Sequence, residues 1–220
     1  RDLHSFPTRR SSDLWQIGSG KSMVSVLFSL HGIPVFDADS EAKTLCDTAP
    51  EVRESLIRRF GNDLYQGELL DRKKLAALIF HDNAAMEIAN SIIHTALMQR
   101  YEHWFRERAD YPLTAIEAAI LIESGFEQYV DEIITVYAPL ELRIGRAMQR
   151  DGAEREEIEA RIAAQLPEEE KIKRSHYVIY NDERGSLIQQ VAEYLGRFPS
   201  QNRQMNSLPK IGRASCRERV

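Results

Sequence analysis

The sequence predicts an α/β fold, a parallel sheet flanked by helices, on three observations. Short apolar runs rich in β-branched residues recur at Ile33–Phe36, Leu113–Ile116, Ile133–Tyr137 and Tyr177–Tyr180, with helical patterns between them. A glycine-rich run, Gly18-Ser-Gly-Lys-Ser22, stands immediately before the first amphipathic helix. A long stretch from Glu41 to Arg108 is helical almost throughout, so a helical insertion interrupts the alternation.

Taken in order, Ser22 to Leu30 places its apolar residues on one helical face, and His31-Gly32 stops it. Ile33-Pro-Val-Phe36 reads as a buried strand ending in Asp37-Ala-Asp39, carboxylates at the end where parallel sheets bind ligands. The insertion divides into helices near 41–46, 51–60, 72–80, 83–98 and 99–108, broken at Pro50, Gly61 and Gly67. After the two middle strands, Pro139 opens a helix that reaches Arg150 and is interrupted by Asp151-Gly152. A charged amphipathic helix from Glu154 to Gln165 stops before Pro167, and Leu187 to Leu195 is the last helix.

The two ends stand apart. Codons for Ile211–Val220 can be chosen whose reverse complement translates as His4–Asp13, ten residues for ten, so one DNA segment read from both strands flanks the rest. That segment resembles a sequencing adapter, and residues 1–14 and 211–220 are set aside as non-native tails. The expected organisation is a single domain over 15–200: a core of 15–40, 112–138 and 175–200, an insertion over 41–111 and a lid over 139–174. A linker of 201–210 follows.

Composition excludes several function classes. At 43% hydrophobic and 29% charged, the 220 residues suit an ordinary globular core. The whole chain carries −5; the tails hold six Arg and three acidic residues, so the remainder carries −8, which argues against nucleic acid as a partner. No apolar run approaches the roughly 20 residues of a membrane span, and a cytoplasmic location is the expectation. Cys46 and Cys216 are too few for a disulfide framework and lack metal-site spacing.

Gly18 to Ser22 carries the second half of the phosphate-binding pattern G-x-x-x-x-G-K-[ST]; Trp15 stands where the first glycine belongs. Glycines let main-chain N–H groups of Gly18, Ser19, Gly20, Lys21, Ser22 and Met23 close on phosphate oxygens. Lys21 would reach the outer phosphates, the Ser22 hydroxyl would ligate Mg²⁺, and the helix N-terminus adds its positive end. Of the downstream carboxylates, one could serve a metal and the other accept a hydroxyl proton, a reading put ahead of the alternative that they cap the next helix; beyond the strand they can diverge. If the strand continued, Asp37 and Asp39 would point to one side.

These features, with Leu70-Asp-Arg-Lys-Lys-Leu75, Ile93-His94, Ile120 to Gly125, Tyr137-Ala-Pro139, Arg146, Arg150-Asp151, Arg161 to Gln165 and Tyr177-Val-Ile with Asn181, resemble the dephospho-CoA kinases from Ile17 to about Leu195. The resemblance implies a P-loop NTPase-type sheet with an acceptor-binding insertion and a lid. It implies ATP and Mg²⁺ as cofactors and transfer to the ribose 3′-hydroxyl of dephospho-CoA. Asp39 matches the family's general base, and Asp37 falls where metal or substrate contact is expected. Arg72 and His94 match the acceptor side, although Thr95 replaces the proline that usually follows that histidine. Glu117, preferred over Glu123, ends a strand nearest the phosphates. Arg146 and Arg150 resemble lid arginines that stabilise the transferring phosphoryl group, and Asn181 resembles the adenine-side residue. Two alternatives stay open: another small-molecule or nucleotide kinase, or an inactive chain of the same fold. A regulatory GTPase lacks support, since no Asn-Lys-x-Asp run occurs.

Overall fold

A computed structural model describes residues 9–14, 17–79, 82–118, 126–163 and 165–198. Trp15, Gln16, residues 120–125 with Glu123, the 201–210 linker and Cys216 lie outside the described residues, as do residues 1–8 and 211–220 of the tails.

Five parallel strands form the main sheet. They are β1 (Arg9–Leu14), β2 (Val35–Asp37), β5 (Leu113–Ala118), β6 (Glu132–Tyr137) and β7 (Tyr177–Tyr180), in the order β2-β5-β1-β6-β7. The remaining pair, β3 (Tyr65–Gln66) and β4 (Leu69–Leu70), makes an antiparallel hairpin in the insertion. Arg9 to Leu14, which precede the domain expected over 15–200, pair with β5 on one side and β6 on the other.

Alternation along the strands sends residues to opposite faces, and each face is covered by helices. On one side α1 (Lys21–Leu30) and α9 (Leu187–Leu195) bring Val24, Leu27, Phe28, Val191 and Tyr194 onto Ala115, Ile134, Val136 and Ile179. Phe28 is fully buried and stacks on Tyr194 with centroids 5.9 Å apart. Truncating so large a core ring to alanine costs about 3–5 kcal/mol. The opposite face packs Phe36, Ile116 and Ile133 against Leu97 and Tyr101 of α5 (Asn83–Arg106), the Phe36 and Tyr101 rings meeting edge to face at 5.2 Å. A single helix therefore replaces the two expected over 83–98 and 99–108, because no breaker separates them.

The insertion has its own core. Cys46 of α2 (Ala38–Thr48), Val52 and Leu56 of α3 (Pro50–Phe60), Leu64, Tyr65 and Leu70 of the hairpin region, Leu75 of α4 (Arg72–Ile79), and Ala89 and Ala96 of α5 pack together. Pro50 at the first position of α3 presets its φ, and Asp82 caps α5 by accepting from Ala85 N at 2.9 Å. Cys46 is buried, which pushes its thiol up to about 11 and leaves it unreactive.

Residues 139–174, the expected lid, contain α6 (Leu140–Asp151), α7 (Arg155–Ala163) and α8 (Glu168–Arg174); Ile144 and Ala147 of α6 pack on Ile158 of α7, and Arg143 of α6 pairs with Glu168 of α8. The helix expected to run to Gln165 ends at Ala163, and α8 and the β3–β4 hairpin were not anticipated. No helix among the described residues is long and apolar enough to cross a membrane.

Candidate active site

The glycine-rich run forms a tight loop between β1 and α1. Gly18 and Gly20 have φ of +76° and +93°, left-handed conformations that favour glycine. Both also sit where no side chain fits. A Cβ on Gly18 would lie 2.2 Å from the main-chain oxygen of Arg143, and one on Gly20 would lie 2.1 Å from Nδ2 of Asn181.

Gly20 caps α1 without offering a side-chain acceptor, and in the first turn Met23 N already donates to Gly20 O at 3.1 Å. The Ser19 hydroxyl is fully buried and has no hydrogen-bond partner among the described residues. An orphaned buried donor in a glycine-rich loop at a helix N-terminus fits a phosphate group.

The first turn of α1 points its chemistry at two carboxylates. Lys21 Nζ donates to Asp39 Oδ2 at 3.2 Å and lies 3.4 Å from Glu117 Oε1. Burial disfavours the ammonium charge, but Asp39 and Glu117 outweigh it and hold the Lys21 pKa above its ordinary value. Ser22 Oγ donates to the same Glu117 oxygen at 3.4 Å. Glu117 is 5% exposed, at the C-terminal end of β5, and shares an open groove with Ser22 and Asp37. Hydroxyl and carboxylate oxygens are the donors that Mg²⁺ prefers, so the residues present fit it.

The two aspartates take different parts. The strand stops at Asp37, whose Oδ1 accepts from Ser40 N at 3.0 Å and whose Oδ2 accepts from Ser40 Oγ at 2.7 Å. Asp37 is thus the N-cap of α2, while Asp39 sits in the first helical turn with its carboxylate on Lys21. The strand does not continue past Asp37, so the condition for both to point to one side is not met and the two diverge, Asp37 taking the capping role that was the alternative reading.

The opposite flank of the loop is held by residues far along the chain. Asn181 Nδ2 donates to Ser19 O at 2.7 Å, and Arg146 Nη1 donates to Asn181 O at 3.3 Å, with Glu183 at 3.4 Å from its Nη2. Arg143 Nε donates to Ile17 O at 3.1 Å, and Ile17 N donates to Gln165 Oε1 at 3.3 Å. Arg143 is only 2% exposed and is paired with Glu168 at 3.6 Å. Its role was not anticipated; a basic residue three before Arg146 on one helix was the available signal.

Not every expected residue comes to the loop. Arg150 forms a forked pair with Asp151, Nε–Oδ1 2.7 Å and Nη2–Oδ2 3.0 Å, and Asp151 also accepts from Arg161, so its described bonds stay inside the lid. Met23 is exposed on the first turn of α1. Arg72 donates to Lys43 O and to Asp47 Oδ2, at 3.0 and 2.7 Å. Asp39, Lys43 and Asp47 follow at four-residue spacing on α2, which puts Arg72 on Asp39's face, roughly 12 Å along the helix at 1.5 Å per residue. His94 is half-buried on α5, which is tied to α2 by Arg100 and Glu41 at 3.1 Å; burial lowers the His94 pKa.

A family model described as dephospho-CoA kinase matches residues 15–186. A dephospho-CoA kinase of Bacteroides fragilis is 40% identical over 179 residues, 81% of this chain and 87% of that protein. One of Porphyromonas gingivalis is 40% identical over 180 residues, covering 81% and 89%. Among solved structures, TT1252 from Thermus thermophilus superposes with a TM-score of 0.78 at 34% identity, covering 88% of this chain and all of that one. The dephospho-CoA kinase of Campylobacter jejuni gives 0.62 at 24% identity, over 86% and 96%, and shares the fold.

Proposed function

The chain belongs to the dephospho-CoA kinase family, whose members transfer phosphate from ATP to dephospho-CoA to give coenzyme A, and from that premise we propose how its own residues divide this work. The observation that carries the assignment is the convergence of Lys21, Ser22, Asp39 and Glu117 at the first turn of α1, beside a glycine-rich loop.

Asp39 accepts the proton of the ribose 3′-hydroxyl, as its place next to Lys21 and at the mouth of the insertion suits. Lys21, kept protonated by its two carboxylates, moves onto the phosphate oxygens when ATP enters, which frees Asp39 for the acceptor. The amides of Gly18 to Met23 and the Ser19 hydroxyl cradle the phosphates. Ser22, with Asp37 and Glu117 behind it, would hold Mg²⁺, which supplies charge neutralisation between the phosphates. Glu117 orients both Lys21 and Ser22. Asn181 borders the adenine side, and Arg146 faces the loop from the lid. Arg150 reaches the phosphoryl group only if lid closure exchanges its Asp151 partner. In the insertion over 41–111, Arg72 and His94 receive the acceptor, and the lid over 139–174 excludes water.

The test is an Mg²⁺-ATP transfer assay on dephospho-CoA and on a panel of nucleoside monophosphates. Transfer to dephospho-CoA alone is expected. Transfer to a monophosphate and not to dephospho-CoA would sink the acceptor assignment.

A further inference from the structure

We infer that Gln165 and Arg143 are positioning residues of the phosphate-binding loop: from the lid they grip Ile17 by both its main-chain N–H and its C=O. The inference rests on the reading that this loop holds ATP.

Ile17 is the residue that leads into Gly18. Its N–H donates to Gln165 Oε1 at 3.3 Å, and its C=O accepts from Arg143 Nε at 3.1 Å, partners 148 and 126 positions away in sequence. Its side chain packs on the lid cluster of Ile144, Ala147 and Ile158. Gly18 then passes so close to the Arg143 main chain that even a methyl group is excluded. One turn further along α6, Arg146 donates to Asn181 O, and Asn181 donates to Ser19 O. The backbone from 17 to 19 is therefore held at one end by Arg143 of α6 directly, and at the other by Asn181, which Arg146 of the same helix holds in turn.

Filling space alone would not call for these residues. A buried guanidinium is costly to desolvate, and an apolar side chain of similar volume would pack as well or better. Arg143 is kept in spite of this cost, with Glu168 as counter-charge and the Ile17 carbonyl as its acceptor. Gln165 lies just beyond α7, so any rearrangement of α7 against α6 changes the grip on Ile17. The loop's amides thus depend on the lid for their direction, and lid position and phosphate binding are coupled.

The experiment uses the full 220-residue chain and its Gln165→Ala and Gln165→Glu variants. Amide exchange at Ile17 and affinity for a fluorescent ATP analogue are measured on each. Loss of the acceptor oxygen in Gln165→Ala should speed exchange at Ile17 and weaken ATP binding by about 3- to 10-fold. Glutamate retains that oxygen, so Gln165→Glu should keep both at parental values. Arg143→Met, made in a Glu168→Gln background so that no carboxylate is stranded, should weaken ATP binding as Gln165→Ala does. The inference is overturned if the Ala and Glu variants behave alike, or if exchange at Ile17 rises while ATP affinity stays unchanged. Neither readout involves the acceptor, so failure here and failure of the acceptor assignment are read separately.

Discussion

Replacing Gly20 with alanine tests the loop geometry at one atom. Two costs arise. The conformation at φ +93° and ψ 24° is left-handed, and an alanine there loses about 1–2 kcal/mol. The new methyl lies 2.1 Å from Asn181 Nδ2, so the amide must swing away and give up its 2.7 Å bond to Ser19 O, a further 0.5–1.5 kcal/mol or so. Together they come to about 1.5–3.5 kcal/mol. In urea that lowers the unfolding midpoint by about 1 M, for a slope near 2 kcal/mol per M. Asn181→Ala alone should lose only the hydrogen bond. Once Gly20→Ala has broken that bond, adding Asn181→Ala should cost nothing more, so the double-mutant cycle should be non-additive by the bond's own value. Urea unfolding followed by circular dichroism on the four proteins measures this. If Asn181→Ala costs the same in both backgrounds, within the roughly 0.3–0.5 kcal/mol expected of independent sites, the steric account of Gly20 is wrong. Gly18→Ala provides the contrast: its clash is with a main-chain carbonyl, so no side-chain truncation at Arg143 should rescue it.

Asp39→Asn should lower kcat about 10²- to 10⁴-fold, the usual contribution of a general base, while the affinity for the fluorescent ATP analogue changes far less; equal losses in both would reassign Asp39 to binding. His94 adds a pH dependence: burial depresses its folded pKa below the ordinary 6.5, so the unfolded chain takes up the proton first. Its stabilising contribution is complete above about 6.5 and is lost as pH falls through the folded value; urea midpoints should drop less on acidification in His94→Gln than in the parent, and parallel drops would refute this. Replacing Arg9–Leu14 by a Val/Ile-rich run should raise the urea midpoint, since a strand flanked on both sides in a helix-covered parallel sheet favours apolar residues, each worth about 1.5–3 kcal/mol when buried. An unchanged midpoint would show that this strand contributes little.

That central strand shows where sequence reading stopped. Residues 113–116, 133–137 and 177–180 announced themselves through β-branched content, and the strands of the structure cover them. Arg9 to Leu14 carries no such signal, and the reverse-complement relation of His4–Asp13 to the opposite tail argued for leaving the segment out. Yet β5 and β6 are both buried and not adjacent, and each needs partners for its inward N–H and C=O groups. Main-chain pairing makes no demand on side-chain type, so this position is filled by topology rather than by propensity. The β3–β4 hairpin escaped for a related reason: strands of two residues are too short for a period-2 pattern to register.

The site divides along similar lines. Lys21, Ser22, Asp39 and Glu117 were legible because each belongs to a local pattern, a loop motif or a strand end, whose chemistry is set by neighbours in sequence. Asp37 and Arg150 each meet a local partner that spacing did not announce: Ser40, three residues on, for the cap, and Asp151, the next residue, for the guanidinium. Such captures depend on rotamers, which spacing does not encode. The grip of Arg143 and Gln165 on Ile17 was not legible for the opposite reason, as Ile17 lies more than a hundred residues from both and offers these bonds only main-chain atoms. If these two residues orient the loop, ATP affinity should respond to substitutions at the lid's base more than to Arg150→Ala at its far end, because only the base touches the loop backbone. An Arg150→Ala variant that matches Gln165→Ala in lost ATP affinity would mean that the lid acts on the nucleotide by closure and not through Ile17.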